Sequence, residues 1–327
     1  MVISMSDNGY AYAVARIRAK ELTLLSTPVL EQLMAAKDTA DCLRILAEKG
    51  WGTGDAARNA GDLLAYEREK TWALLRELCE DMSVFDVFLL ANDYHNLKAS
   101  IKLVYTNQTP HGVFSTNGTV APGLIYDAVL ARDFASLPEG MRTAAEDAFL
   151  VLSHTADGQL CDIMIDRAAL AAIFAAGEAS PYGLIREYAR LTVALANIKT
   201  AARCQKTGKN LEFIRKALCP CDGLDVQLLA AASAQGFEPL MQYLEGTVYD
   251  KAAEALRVSF ARFERYADNA VIELIRPQKY HPFTIEPIAA YLLARENELA
   301  MVRLILSAKH NKLSEQSVRE RLREMYV

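Results

Sequence analysis

Asp93-Tyr94-His95-Asn96-Leu97-Lys98, continuing to Ile101 and Lys102, is the stretch that decides how this chain is read. It returns as Ala196-Asn197-Ile198-Lys199, continuing to Ala202 and Arg203, and again as Glu298-Leu299-Ala300-Met301-Val302-Arg303. The matched positions Asn96, Asn197 and Met301 are 101 and 104 residues apart (197−96 and 301−197). Around the first copy, Leu90, Tyr94, Leu97, Ile101 and Val104 step by four, three, four and three, which places them on one stripe of a helix. Leu184, Tyr188, Leu191, Leu195, Ile198 and Ala202 repeat that stepping around the second. A helical unit copied three times predicts an all-α, pseudo-threefold body. Such a body suits a piece that works on or around a symmetry axis.

A second repeat lies elsewhere. Leu30, Leu43, Leu46 and Trp51 are spaced 13, 3 and 5, and Leu228, Met241, Leu244 and Tyr249 are spaced identically (241−228, 244−241, 249−244). An apolar pattern kept at one spacing argues for a copied supersecondary unit. Trp51 and Tyr249 read as plugs at helix ends. Together the repeats predict units at 1–123, 124–224 and 225–327, with the N-terminal helices packing with the third.

Composition agrees with helix. Hydrophobic residues make up 52% of 327, Ala and Leu dominate, and only 16 Gly and 10 Pro occur. Helices are expected over 10–26, 29–49, 61–81, 86–105, 128–137, 138–156, 162–176, 181–206, 250–276 and 286–309, with a short charged helix opening at Ser314. The Thr-, Asn-, Gly- and Pro-rich stretch 106–123 reads as a loop, and Pro277–Pro287 as a turn. Alternating charges at Glu67, Arg68, Glu69 and Lys70 read as a solvated face.

Charge and motifs exclude several functions. A net charge of −5 argues against nucleic acid as a partner. The longest apolar runs, 168–176 and 287–294, are too short to span a bilayer, so no direct membrane insertion is expected. Arg16, Arg18 and Lys20 follow the first apolar segment rather than precede it, the wrong order for a signal peptide, and a cytoplasmic chain is expected. No phosphate-binding loop of the G-x-x-x-x-G-K-[ST] form and no H-E-x-x-H occurs, and histidines 95, 111, 154, 281 and 310 lack ligand spacing. No catalytic, cofactor-binding or metal site is therefore expected. Asp93 and His95 point to different faces of a helix and read as capping or surface groups. Cys219-Pro220-Cys221 reads as two free thiols in a turn.

The candidate partner-binding residues are Lys98, Lys102, Lys199, Arg203 and Arg303. Lys98/Lys102 and Lys199/Arg203 are like-charge pairs one turn apart, which repel slightly unless an acidic partner or a carboxylate within the body compensates. The plain reading of each is a solvated helix charge.

These motifs resemble one family across nearly the whole chain. Ala11–Glu21 (A-Y-A-V-A-R-I-R-A-K-E), Leu33–Ala40, Asp93–Lys98, Asn197–Lys199, Glu298–Arg303, Leu304–Asn311 and Arg319–Val327 are similar, in order and spacing, to the C subunits of prokaryotic V-type (A-type) rotary ATPases, which are the counterparts of the d subunit of the eukaryotic V-ATPase. The chain departs from the pattern at Ala194, where the first copy has Asp93, at Met301, and at Gly50-Trp51-Gly52, where the family has a Thr-x-Tyr-like ending. The resemblance implies an all-α funnel of three similar helical sub-bundles in a pseudo-threefold arrangement, and a non-catalytic place in the central stalk. It would sit on the cytoplasmic face of the membrane rotor ring, receive the axle subunits of the catalytic head, hold no cofactor, and transmit torque for ATP-linked proton or sodium transport. The other reading is a generic helical adaptor or scaffold, though repeat scaffolds usually show shorter and more numerous repeats.

Overall fold

The computed structural model describes residues 9–54 and 59–327. Its helices are α1 (Ala11–Glu21), α2 (Thr27–Ala35), α3 (Thr39–Glu48), α4 (Ala60–Leu78), α5 (Leu90–Tyr105), α6 (Pro122–Ala131), α7 (Glu139–Thr155) and α8 (Gly158–Ala179). There follow α9 (Gly183–Lys206), α10 (Leu211–Ala217), α11 (Val226–Gln235), α12 (Phe237–Glu245), α13 (Asp250–Val258), α14 (Phe260–Ile275), α15 (Glu286–His310) and α16 (Glu315–Arg319). Short 3-10 helices cover Ser83–Phe88 and Arg276–Tyr280. The fold is all-α: among the described residues the extended backbone amounts to one isolated bridge, between Cys221 and Leu224. No described helix is long and apolar enough to cross a membrane.

Two expected helices are each broken, and polar caps do the breaking. Residues 29–49 form α2 and α3, because the Asp38 carboxylate accepts from the Asp41 amide and starts a new helix. Residues 250–276 form α13 and α14, because extended Ser259 caps the Arg262 amide with its hydroxyl. Short Asx and Ser caps of this kind are weaker in sequence than the apolar stripes that run past them. α6 lies upstream of its expected place because Pro122 opens it. The loop expected over 106–123 is present over 106–121, its last two residues opening α6, and Ser314 caps α16 as expected.

Contacts divide the chain into two compact units, one made of residues up to Met82 with Glu254–Val327, the other of Ser83–Ala253. In the first, α15 packs against α1, α2, α3 and α4. Its core gathers Leu33, Leu46 and Leu63 with Leu299, Val302 and Ile305. In the second, α8 packs against α5, α7 and α9. Leu97 and Ile101 from the first signature helix meet Ile125, Val129, Cys161 and Ile165, while Ile185, Ala189 and Val193 of α9 meet Ile173. Gly177 allows the α8–α9 approach, since a Cβ there would collide with the Ala189 side chain. Of the four matched positions of the 13-3-5 repeat, Leu46 and Leu244 agree in being buried, but Leu30 is buried where Leu228 is 57% exposed, with Leu229 buried in its stead, and Leu43 is half-buried where Met241 is buried. Trp51 is buried, whereas Tyr249 is half-buried.

Candidate functional site

The signature asparagines are not surface groups. Asn96 and Asn197 are fully buried on α5 and α9. Each clamps the backbone of one distant loop residue from both sides. Asn96 donates to the Ser115 carbonyl at 2.9 Å and accepts from the Ser115 amide at 2.8 Å. Asn197 donates to the Cys219 carbonyl at 2.7 Å and accepts from the Cys219 amide at 2.9 Å. A carboxamide offers a donor and an acceptor side by side, so it pairs with a peptide group as a neighbouring strand would. In both units the clamped residue lies seven positions before the next helix (122−115 and 226−219). On α15 the same task is shared between two side chains one turn apart. The Met301 sulfur accepts from the Arg323 amide at 3.2 Å, and Asn297 donates to the Glu324 carbonyl at 2.9 Å. The departure at Met301 thus keeps the clamp in altered chemistry.

Asp93 and His95 extend the first clamp. Asp93, expected at the surface or in a cap, is fully buried, and its carboxylate accepts from the Thr119 amide and hydroxyl (3.0 and 2.7 Å) and the Val120 amide (3.1 Å). The Asp93 carboxylate fills the space a Cβ at Gly118 would need, which makes this glycine necessary. His95 Nε2 lies 3.1 Å from the Val113 carbonyl, and Asn92 donates to the Asn117 carbonyl at 2.6 Å. The loop is therefore fastened at several points by the motif that precedes it.

The basic pairs occupy varied settings. Lys98 bonds Asp166 and Lys102 bonds Asp162 (2.7 Å), so two lysines one turn apart on α5 meet two aspartates one turn apart on α8. The carboxylates that offset their repulsion are thus internal. Half-exposed pairs of this type contribute roughly 0.2–1 kcal/mol each. On α9, Lys199 is half-buried and Arg203 exposed. Arg303 is exposed on α15 and borders a cavity of about 570 Å³ together with Thr39, Leu43 and His310. The first four lie in one unit and Arg303 in the other.

The reading of residues 67–70 as a solvated face holds for Glu69 and Lys70, which are exposed, and is corrected for Glu67 and Arg68. Glu67 is 1% exposed and Arg68 forms a two-pronged pair with Glu296 at 2.8 Å. Glu67 belongs to a buried ionic cluster centred on Arg295. The guanidinium reaches Glu67 (2.7 Å), Glu298 (2.5 Å) and the Thr71 hydroxyl (3.3 Å), and its Cζ lies over the Trp51 ring, 4.8 Å from the centroid. The carboxylates then reach outward to the backbone, Glu67 accepting from the Gly52 amide at 2.9 Å and Glu298 from the Leu25 amide. One arginine thereby ties α4 and α15 to the chain turns at Leu25 and Gly52. No local pattern in the sequence marks this cluster except Glu298, which matches Asp93 in the repeat and likewise clamps a backbone amide.

Burial pushes the Glu298 carboxyl up to about 7, against the opposing pull of Arg295. A folded-state value above the ordinary 4.5 means that the native state binds the proton more tightly than the unfolded chain does. The resulting stabilisation, on the order of 3 kcal/mol, is full below pH 4.5 and is lost as pH rises through about 7. Glu298→Gln keeps the acceptor for Leu25 and removes the titration. The melting temperature of the native protein minus that of Glu298→Gln is expected to fall by several degrees between pH 5 and pH 8. A difference independent of pH would refute this assignment.

Among the described residues no group of three or more His, Cys, Asp and Glu is placed to hold a metal ion. Cys219 and Cys221 are free thiols, and burial raises the Cys219 thiol to about 11. The class that these features define is an all-helical protein of repeated, loop-clamped helices. The chain belongs to the ATP synthase (C/AC39) subunit family, whose sequence signature matches residues 13–321. It is similar to the C subunit of the V-type sodium ATPase of Enterococcus hirae, 22% identical over 95% of this chain and 97% of the relative. The C subunits of the A-type ATP synthases of Pyrococcus horikoshii and Methanocaldococcus jannaschii are 23% and 22% identical, over 97% and 98% of this chain and 90% and 88% of those relatives.

Proposed function

We propose that this chain is the central-stalk adaptor of a V/A-type ATPase, placed between the axle subunits of the catalytic head and the membrane rotor ring. On this reading it lies on the cytoplasmic side, is peripheral to the membrane through the ring, catalyses no reaction, and transmits torque for ATP-linked proton or sodium transport. The observation that carries the reading is the end-to-end match with its relatives in rotary ATPases, covering 95% of this chain and 97% of the Enterococcus hirae protein. The clamps support it physically. A torque-bearing piece must not shear between helix and loop, and buried two-sided hydrogen bonds resist such slippage better than apolar contacts, which are non-directional. The reading includes three sub-bundles at 1–123, 124–224 and 225–327, with the three signature helices related by rotation about one axis. Co-purification of ring and axle subunits with the tagged chain tests it; recovery of neither would overturn it.

The basic residues give the reading a finer test. Arg203 and Arg303 are exposed, and reversal of Arg303 to Glu is expected to leave the melting temperature nearly unchanged. The same reversal should weaken binding to the axle subunits or the ring several-fold at low salt and less at high salt. Lys98→Glu/Lys102→Glu is expected to melt a few degrees lower, because two ion pairs become repulsions, and to recover when Asp162→Lys/Asp166→Lys is added. Arg203 and Arg303 reversals that bind both partners normally would remove these two residues from the interface.

A further inference from the structure

A cavity of about 680 Å³ opens in the unit formed by the N- and C-terminal segments. Side chains of α1, α4, α15 and the turn after α3 line it. Its size is that of a small-molecule pocket. Every carboxylate on its lining is already engaged: Glu67 with Arg295 (2.7 Å) and Lys70 (3.1 Å), Glu77 with Arg16 (3.0 Å), and Glu69 with Arg76, which lies outside the lining. Lys20 and Lys49 also border the cavity, and neither has an ion pair among the described residues. Among the described residues the cavity thus carries uncompensated positive charge.

An available donor points the same way. Tyr291 lines the cavity, is only 5% exposed, and its hydroxyl has no hydrogen-bond partner among the described residues. Burial raises the phenol to about 12, so at neutral pH it keeps its proton and remains a donor. A tyrosine hydroxyl whose ring is buried and whose tip stays accessible is free to donate to a bound group. Beside it, Arg295 uses three N–H groups on Glu67, Glu298 and Thr71, of the five a guanidinium has.

We propose that this cavity binds a small multivalent oxyanion, one anionic oxygen accepting from the Tyr291 hydroxyl while Lys20 and Lys49 balance the remaining charge. Phosphate and carboxylate clusters share this chemistry, and the choice of probe separates them. The proposal is independent of the central-stalk reading, since it concerns the isolated chain.

The test is isothermal titration calorimetry of the full chain with inorganic pyrophosphate and, separately, citrate, at fixed ionic strength. Saturable one-site binding of either anion is expected, with pyrophosphate or citrate preference naming the phosphate or carboxylate class. Tyr291→Phe removes one oxygen atom that has no partner in the protein, and should keep the melting temperature while weakening binding about tenfold or more. Lys20→Ser/Lys49→Ser alters exposed side chains, and should weaken binding by a similar factor at low salt and by less at high salt. No saturable heat with either anion, or unchanged affinity in both variants, would overturn the proposal.

Discussion

Arg295→Met is expected to lower the melting temperature by on the order of 10 °C, the largest effect of any single change considered. Methionine fills a similar volume but leaves Glu67 and Glu298, 1% and 2% exposed, without their shared cation. Breaking a buried ionic group by removing one partner costs about 3–5 kcal/mol, because the stranded charge keeps its desolvation penalty. A change of that size shifts a melting point by roughly 2–4 °C per kcal/mol in domains of this scale. Arg295→Lys is expected to rescue little, since one ammonium cannot address Glu67, Glu298 and Thr71 in the fork geometry a guanidinium provides. Neutralising the partners as well, in Arg295→Met/Glu67→Gln/Glu298→Gln, should restore most of the loss, because the Gly52 and Leu25 amides keep acceptors while the stranded charges disappear. Thermal unfolding followed by circular dichroism reads all three. A loss under about 2 °C for Arg295→Met would show that the cluster is not the tie described.

Asn197→Ala is expected to cost about 2–4 kcal/mol, because it orphans both the amide and the carbonyl of Cys219, a residue only 2% exposed. Asn96→Ala removes the same pair of bonds but should cost less, roughly 1–2 kcal/mol, since Ser115 is half-buried and water can replace the lost partner. The order of the two effects is the sharper expectation. Native-state hydrogen exchange should show it directly, with the Cys219 amide losing protection in Asn197→Ala while amides within α9 keep theirs. Equal destabilisation by the two substitutions, or unchanged protection at Cys219, would contradict the clamp as the source of stability.

Much of this could be read before any fold was known. The four-three stepping of Leu90 through Val104 and of Leu184 through Ala202 names helices and their buried faces, because helix geometry is local. The return of Asn96 at Asn197 and of its helical frame at Met301 marked the residues that prove to hold the loops. Even the offset of Lys98 and Lys102 had a visible answer in Asp162 and Asp166, which share their one-turn spacing on a helix the sequence predicted. What could not be read was which charges are buried. Glu67 sits in the same alternating run as Glu69, and nothing local distinguishes the carboxylate 1% exposed against Arg295 from one that stays in water. Their difference is made by a residue 228 positions away. In the same way Asn96 finds Ser115, and Asn197 finds Cys219, only once a loop has folded back. Sequence by itself determined the helices, their apolar faces and their repetition, since these follow from the periodicity of the chain over a few turns. Tertiary structure alone decided which polar groups lost their water and with whom they were paired, since desolvation belongs to a position in space and not to a position in the chain.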